Sequence, residues 1–259
     1  MHEREADIQQ ACHTIEAQEQ VRILYACESG SRAWGFASHD SDYDVRFLYV
    51  RPQRAYLRLD LPRDVIERPI VDDLDINGWD IFKALRLLRK SNPPLLEWLF
   101  SPMVYLETSR AIEELRAIAR RFYSSTALYY HYSRMAAGNY RQYLNGKPEV
   151  ILKKYLYIVR PLIALMFLEQ QHQLPPTNFL ETLGQVQLPE EVHARIHDLV
   201  ARKLAGDELG MGAPDTLLNI FIEEQLNKWS KPLFDARSQV GLSQELENVL
   251  VHVLTEGER

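Results

Sequence analysis

Three kinds of residue in this 259-residue chain could do chemistry together: a glycine-serine pair, a pair of closely spaced aspartates and a second acidic run. Gly30 and Ser31 follow the apolar run VRILYACE (21–28), and after ten intervening residues Asp42 and Asp44 open a second apolar run, YDVRFLYV (43–50). Gly30 lets the backbone turn tightly and brings its amide close to a ligand, and Ser31 adds a hydroxyl. If a helix opens there, its free amides favour a phosphate. In an extended chain, side chains two apart point to one face, so Asp42 and Asp44 would repel each other unless a divalent cation lay between them. Mg²⁺ takes hard oxygen ligands, commonly a few carboxylates together with substrate phosphates. A third carboxylate is then expected from a neighbouring strand, and VDDLDI offers Asp73 and Asp75 on one face. The chemistry implied is two-metal phosphoryl transfer, in which cations clamp the attacking and leaving oxygens.

Each piece alone has a plainer meaning. A Gly-Ser pair is usually only a turn, and a D-x-D is usually a solvated pair or a helix cap. Their conjunction, a strand, a Gly-Ser turn, a D-x-D opening a second strand and a further acidic strand, is what points to a metal–nucleotide site.

The elements that must position these residues alternate in the first part of the chain. A polar-faced helix is expected over 5–20, strands over 21–28 and 43–50, and a short helix over 31–37. AYLRL (55–59) reads as a short edge strand, and IERPIVDDLDI (66–76) as a strand interrupted by Pro69. GWDIFKALRLLRKS carries apolar residues at Trp79, Phe82, Leu85 and Leu88, a helical period that Asn92-Pro93-Pro94 stops. LLEWLFSPMVYLE reads as a helical turn and a short strand. From about Thr108 the strand signals nearly vanish, and helical patterns follow at 108–123, 125–145, 149–171, 190–205, 215–235 and 243–255. Two parts are therefore expected, 1–108 with the acidic strands and 109–259 helical.

Composition bounds the class. The chain is 46% hydrophobic and 25% charged with a net charge of −6, which argues against a protein that coats nucleic acid but leaves room for a local basic face. Two cysteines, Cys12 and Cys27, supply neither a disulfide framework nor a ligand cluster, so a reducing, cytoplasmic setting is expected. The polar stretch MHEREADIQQ does not read as a secretory signal. The segment IVRPLIALMFL is 11 residues long and interrupted by Arg160 and Pro161, too short to span a bilayer.

The spacing of Gly-Ser and D-x-D resembles the signature of the DNA polymerase β-type nucleotidyltransferase superfamily. GSRAWGFASHDSDYDVRFLY, with DINGWDIFKALRLL, NPPLLEWLFSP and KKYLYIVRP downstream, is similar to a bacterial and phage group within it that includes RNA-ligase-associated polymerases of RNA repair. The resemblance runs over about residues 20–185. It implies an α+β protein in which a small mixed-sheet, polymerase-palm-like nucleotidyltransferase domain precedes an all-helical domain that closes the cleft. It implies an enzyme of the EC 2.7.7 type that binds an NTP, ATP being expected, with two Mg²⁺ ions or Mn²⁺ in their place. The acceptor it implies first is an RNA or other nucleic-acid end, with an RNA ligase as functional partner; the alternatives are a protein side chain or a small molecule as acceptor, or a non-catalytic nucleotide-binding member of the fold. Gly30 and Ser31 would hold the nucleotide phosphates, Asp42 and Asp44 the metals, and Asp75 would be the third carboxylate, at the end of its strand before an Asn77-Gly78 turn. Asp73 competes for that role because it shares the face.

Around this motif, Arg32 is expected at the nucleotide, and Arg46, with the strand parity of Asp42 and Asp44, either pairs with a carboxylate or faces the triphosphate. His39 reads as a solvated loop residue, Trp34 and Trp79 as packing residues, and Asp80 as a carboxylate at a helix start. A second signal lies in the helical part. From Tyr129 to Arg160 six basic residues face one acid, Glu149, and seven of the thirteen tyrosines lie in the same span. Lys153, Tyr157 and Arg160 fall on one helix face, and Lys154 is a further candidate for the nucleotide. Cations and rings on one face suit a nucleoside triphosphate or a single-stranded nucleic-acid end.

Overall fold

The computed structural model describes residues 4–207, 209–229 and 238–256. The chain divides into two compact units, one of Met1–Ala33, Asp42–Tyr123 and Ser238–Arg259, the other of Trp34–Ser41 and Ser124–Arg237.

Unit 1 is built on a five-stranded sheet. After helix α1 (Glu5–Glu19) come β1 (Arg22–Glu28), the single turn α2 (Gly30–Ala33), β2 (Tyr43–Val50), β3 (Val65–Glu67) and β4 (Leu74–Asp80), then α3 (Ile81–Arg89), α4 (Pro93–Leu99), β5 (Val104–Glu107) and α5 (Ala111–Phe122). The strand order is β3-β4-β2-β1-β5, and β2 and β4 run parallel while the other pairs are antiparallel. β1 is buried along nearly its whole length, as its unbroken apolar run requires of a central strand. One sheet face packs on α1 through Ile8, Cys12 and Ile15 against Ile23, Val45, Phe47 and Tyr49. Both cysteines are buried and unpaired, and burial pushes each thiol up to about 12, which disfavours the reactive thiolate. Asp80 caps α3, its carboxylate accepting from the Phe82 amide at 2.8 Å.

Three expectations about the strands of unit 1 need correction. AYLRL forms no strand: residues Gln53–Leu57 make a 3-10 turn behind Pro52, with Tyr56 Oη donating to Asp80 at 2.9 Å. The run 66–76 is not one strand but the end of β3 and the start of β4, joined by a turn in which Asp72 and Asp73 both have positive φ. Asn77-Gly78 is not a turn. Both residues lie inside β4, paired with Arg46 and Phe47 of β2 and with Glu67 and Ile66 of β3. A Cβ on Gly78 would lie 2.3 Å from the Phe47 ring, so the glycine is there for close packing.

Unit 2 is helical: α6 (Ser125–Tyr143), β6 (Val150–Ile151), α7 (Lys153–Gln171), α8 (Phe179–Leu183), α9 (Glu190–Leu204), β7 (Met211–Gly212) and α10 (Thr216–Lys228), with β6 and β7 forming a two-residue ladder. α7 is its core helix, buried from Leu162 to Leu168, and continues through Pro161. No helix among the described residues is long and apolar enough to cross a membrane. The helical pattern expected to reach residue 235 ends at Lys228, and 230–237 lie outside the described residues.

The chain then returns to unit 1 with α11 (Leu242–Glu256), which packs on α5 and α3. His252 Nδ1 meets Glu114 at 2.8 Å, Arg121 pairs with Glu245, and Glu256 accepts from Arg22 at 3.2 Å and from Ser109 Oγ at 2.6 Å. A single cut near residue 108 would assign α5 and α11 to the helical part, whereas their apolar faces are buried in the sheet-bearing unit.

Candidate active site

At the end of β1 the Ser29 amide donates to Asp44 O at 2.8 Å, which closes the strand onto β2. Gly30 follows with φ +61°, and a Cβ built there would lie 2.0 Å from Asp44 Oδ2. Glycine is needed on both counts, since the left-handed backbone is costly for other residues and the Asp44 carboxylate occupies the space. The helix expected over 31–37 is only the turn Gly30–Ala33. Any grip on an anion there rests on nearby amides and the Ser31 hydroxyl rather than on a long helix dipole.

Asp44 and Asp75 are directly opposite in the parallel β2–β4 register. Asp75 is the second residue of β4, not its end, because the strand continues through Asn77 and Gly78. Arg46 reaches back between them, its Nη2 2.7 Å from Asp75 Oδ2 and 3.2 Å from Asp44 Oδ1, while Nη1 donates to Asp75 O at 2.9 Å. Asn77 Nδ2 donates to Asp75 Oδ1 at 3.1 Å, so both oxygens of Asp75 are held. Burial raises Asp44 above its ordinary range; Arg46 opposes the shift, and the charges of Asp75 and Asp42 add to it. Asp42 lies exposed just before β2, and its carbonyl accepts from Arg32 Nε at 3.2 Å. Arg32 also lies over the Tyr43 ring at 3.8 Å. Asp73 is exposed in the left-handed turn before β4, and its carbonyl accepts from the Tyr43 amide at 2.8 Å. It does not share a strand face with Asp75.

Sequence reasoning assigned no role to Glu28, the last residue of β1. It is 1% exposed. Its Oε1 accepts from the Asp44 amide at 2.8 Å and its Oε2 from Tyr105 Oη at 2.5 Å. Burial pushes this carboxyl up to about 7; both hydrogen bonds pull it down, and the charge of Asp44 raises it further. The available signal was a carboxylate ending an apolar strand directly before the Gly-Ser pair, where a buried acid needs dedicated donors.

Among the described residues no three His, Cys, Asp or Glu side chains form a ready metal cage. The donor set nevertheless fits a hard cation that substrate oxygens complete. A guanidinium already bridges Asp44 and Asp75, and the missing side chain at Gly30 lets Asp44 Oδ2 lie against the Gly-Ser turn.

The middle of the long first motif belongs to unit 2. Trp34 O accepts from the Phe179 amide at 2.9 Å, Phe36 meets the Phe179 ring edge-on at 5.7 Å, and Gly35, at φ +84°, leaves room for the Asn178 side chain. Three of the four basic-aromatic candidates share rings along α7, while Lys153 is exposed at its start. Arg160 lies over Trp34 at 3.9 Å, Tyr157 meets the same ring edge-on at 6.2 Å, and Lys154 lies over Tyr143 at 4.3 Å and Tyr157 at 5.2 Å. Lys203 of α9, outside the span singled out by composition, reaches the same rings, 4.9 Å from Phe36 and 5.8 Å from Tyr157. Trp79 stacks on Trp98 at 3.8 Å, a packing role, and His39 is exposed.

A mixed sheet that sets a Gly-Ser turn beside paired strand carboxylates defines a nucleotidyltransferase of the DNA polymerase β type. The chain belongs to the RlaP family, described as the RNA repair pathway DNA polymerase beta family, which matches residues 4–252. It is 41% identical over 243 residues to "Uncharacterized protein YcgL" of Bacillus subtilis (strain 168), covering 93% of each chain. Among solved structures it is similar to a nucleotidyltransferase-like protein from Exiguobacterium sibiricum 255-15, at 13% identity and a TM-score of 0.35, over 97% of this chain and 81% of that one.

Proposed function

We propose that this protein transfers a nucleoside monophosphate from an NTP, ATP being the expected donor, to the 3′ hydroxyl of an RNA end, as a step of RNA repair. The observation that carries the reading is the register of Asp44 against Asp75 beside the side-chain-free edge of Gly30. The family's description, with its RNA repair pathway, supports the choice of acceptor.

The acceptor oxygen attacks the α-phosphorus, the bond to the β-phosphate's bridging oxygen breaks, and pyrophosphate leaves. Mg²⁺ or Mn²⁺, when bound, supplies charge neutralisation at the attacking and leaving oxygens. Asp42 and Asp44 would hold the ions with Asp75 completing the site, and Asp44 is fixed for this by the Glu28 carboxyl at its amide and by Arg46 at its side chain. Asp75, held by Arg46 and Asn77, is the carboxylate that receives the acceptor's proton. The amide of Gly30 and the hydroxyl of Ser31 bind the β- and γ-phosphates, with Arg32 as their counter-charge. On unit 2, Lys153, Lys154, Tyr157 and Arg160 bind nucleotide through charge and stacking. An RNA ligase is the functional partner that would seal an end mended in this way.

The test is transfer of label from α-labelled NTPs, with Mg²⁺, to a mixture of RNA, DNA and protein acceptors. Label is expected in RNA, and Asp44→Ala is expected to abolish it with little change in thermal stability, since removing one carboxylate relieves repulsion. Label in protein instead would move the acceptor class, and full activity in Asp44→Ala would end the metal assignment.

A further inference from the structure

Unit 2 contains a concentration of positive charge that no described residue neutralises. Lys203 is 9% exposed, and among the described residues it has no hydrogen-bond or ion-pair partner, only the rings of Phe36 and Tyr157. Burying an ammonium without a counter-charge is costly. Its neighbours worsen the balance, because its pKa is lowered first by burial and then by the charge of Lys153. Lys153 and Lys154 also have no ion-pair partner among the described residues. Other cations of the unit do have one: Arg195 pairs with Asp215 at 2.9 Å, Arg202 with Asp207 at 2.8 Å and Lys228 with Glu169 at 2.6 Å.

The same lysines stand at the wrong end of a helix. Lys153 and Lys154 occupy the first turn of the 19-residue α7, which has no acidic residue in that turn and no side-chain cap at Leu152. A helix N-terminus carries partial positive charge and favours anions, so two lysines there are opposed by the dipole. Two independent features, an unpartnered buried ammonium and a helix start that bears lysines and has neither an acidic first turn nor a side-chain cap, thus meet at one place.

We propose that Lys203, Lys153 and Lys154 form a phosphate-binding site on unit 2 that takes a run of two or more phosphates. Three ammonium groups match the multiple charge of such a run, whereas a carboxylate ligand would neutralise one of them. The rings of Phe36, Tyr143 and Tyr157 leave these ammoniums with few competing acceptors, and cations over ring faces keep their charge while partly desolvated. The ligand is the triphosphate of a free nucleotide or the successive phosphates of an RNA strand. The inference rests on the reading that unit 2 takes part in nucleotide binding, and it adds Lys203 as the central cation.

The experiment is calorimetric titration, in EDTA, of the full-length protein with tripolyphosphate, with ATP and with a 5′-hydroxyl RNA 10-mer. Lys203→Met keeps an unbranched apolar stem and removes the charge. It is expected to weaken binding about tenfold or more, the loss of one charge-assisted contact, and to raise the melting temperature by removing a buried charge. If the variant fails to fold, Lys153→Gln/Lys154→Gln, at the helix start, is expected to weaken the same titrations. Loss confined to tripolyphosphate and ATP assigns the triphosphate, and loss confined to RNA assigns the strand; either supports the site. Unchanged affinity of Lys203→Met for all three probes, or no binding of any by the wild-type protein, overturns it. Nucleotidyl transfer measured on the same samples separates the two readings. Transfer with no lysine-dependent binding removes this site alone, and lysine-dependent binding with no transfer removes the catalytic reading alone.

Discussion

Gly30 and Asp44 share a volume that only one side chain can fill. Gly30→Ala would place a methyl group 2.0 Å from Asp44 Oδ2 in a backbone at φ +61°. It is expected to cost about 1–3 kcal/mol of stability and to abolish transfer by moving Asp44, checked by chemical denaturation and the label assay. Glu28 gives a prediction with a defined pH window. Burial pushes its carboxyl up to about 7 in the folded protein from the 4.5 of a free side chain, so the folded state holds the proton more tightly. The stabilisation from this group is complete below pH 4.5 and is lost as pH rises towards and through about 7. Glu28→Gln keeps an acceptor for the Asp44 amide and carries no titrating proton. The difference in melting temperature between variant and wild type, measured in EDTA, is therefore expected to be more favourable to the variant at pH 8 than at pH 5. A pH-independent difference would mean that Glu28 does not titrate in this range.

At the scale of elements, β4 decides the site. A strand through Asn77 and Gly78 puts Asp75 opposite Asp44 and leaves Asp73 in the preceding turn. Asn-Gly is a strong local turn signal, and it loses here because Gly78 pairs on both sides and lies under the Phe47 ring. Gly78→Ala should destabilise unit 1 by about 1–3 kcal/mol through overpacking, and Phe47→Leu in the same chain should recover part of that loss. Thermal or denaturant melts of the single and double variants measure both effects. Most other elements of unit 1 were legible because their signals are local: the apolar run of β1, the Asp80 cap of α3 and the Asn92-Pro93-Pro94 stop after it. The 3-10 turn at 53–57 was misread as a strand because YLRL alternates like one, while Tyr56 is held by Asp80, a partner distant in sequence.

On the scale of the whole molecule, the C-terminal helix belongs with the sheet rather than with the helices that precede it. Arg22, Ser109 and Glu256 tie the start of β1 to the end of α11, and Leu242, Leu246, Val249 and Val253 are buried on it. A fragment of residues 1–123 is thus expected to be less stable than a version in which 238–259 is joined to it by a flexible linker, by several kcal/mol of lost apolar burial. Comparing their denaturation midpoints checks this. An equally stable short fragment would mean that α11 is an accessory.

The residues by themselves determined the reaction class and most of the secondary structure, because Gly-Ser, D-x-D and helical periodicity are statements about neighbours a few positions apart. They also placed Lys153, Tyr157 and Arg160 on one helix face. What only the tertiary structure decided were pairings between distant residues. It set Asp75 against Asp44 with Arg46 between them, gave Glu28 its Tyr105 partner, brought Lys203 to the rings beside α7, and divided a single motif so that Gly30 lies in unit 1 while Trp34 lies in unit 2. The physical reason is that a carboxylate or an ammonium acquires its role from the charges and burial around it, and those come from strands and helices far apart in the chain.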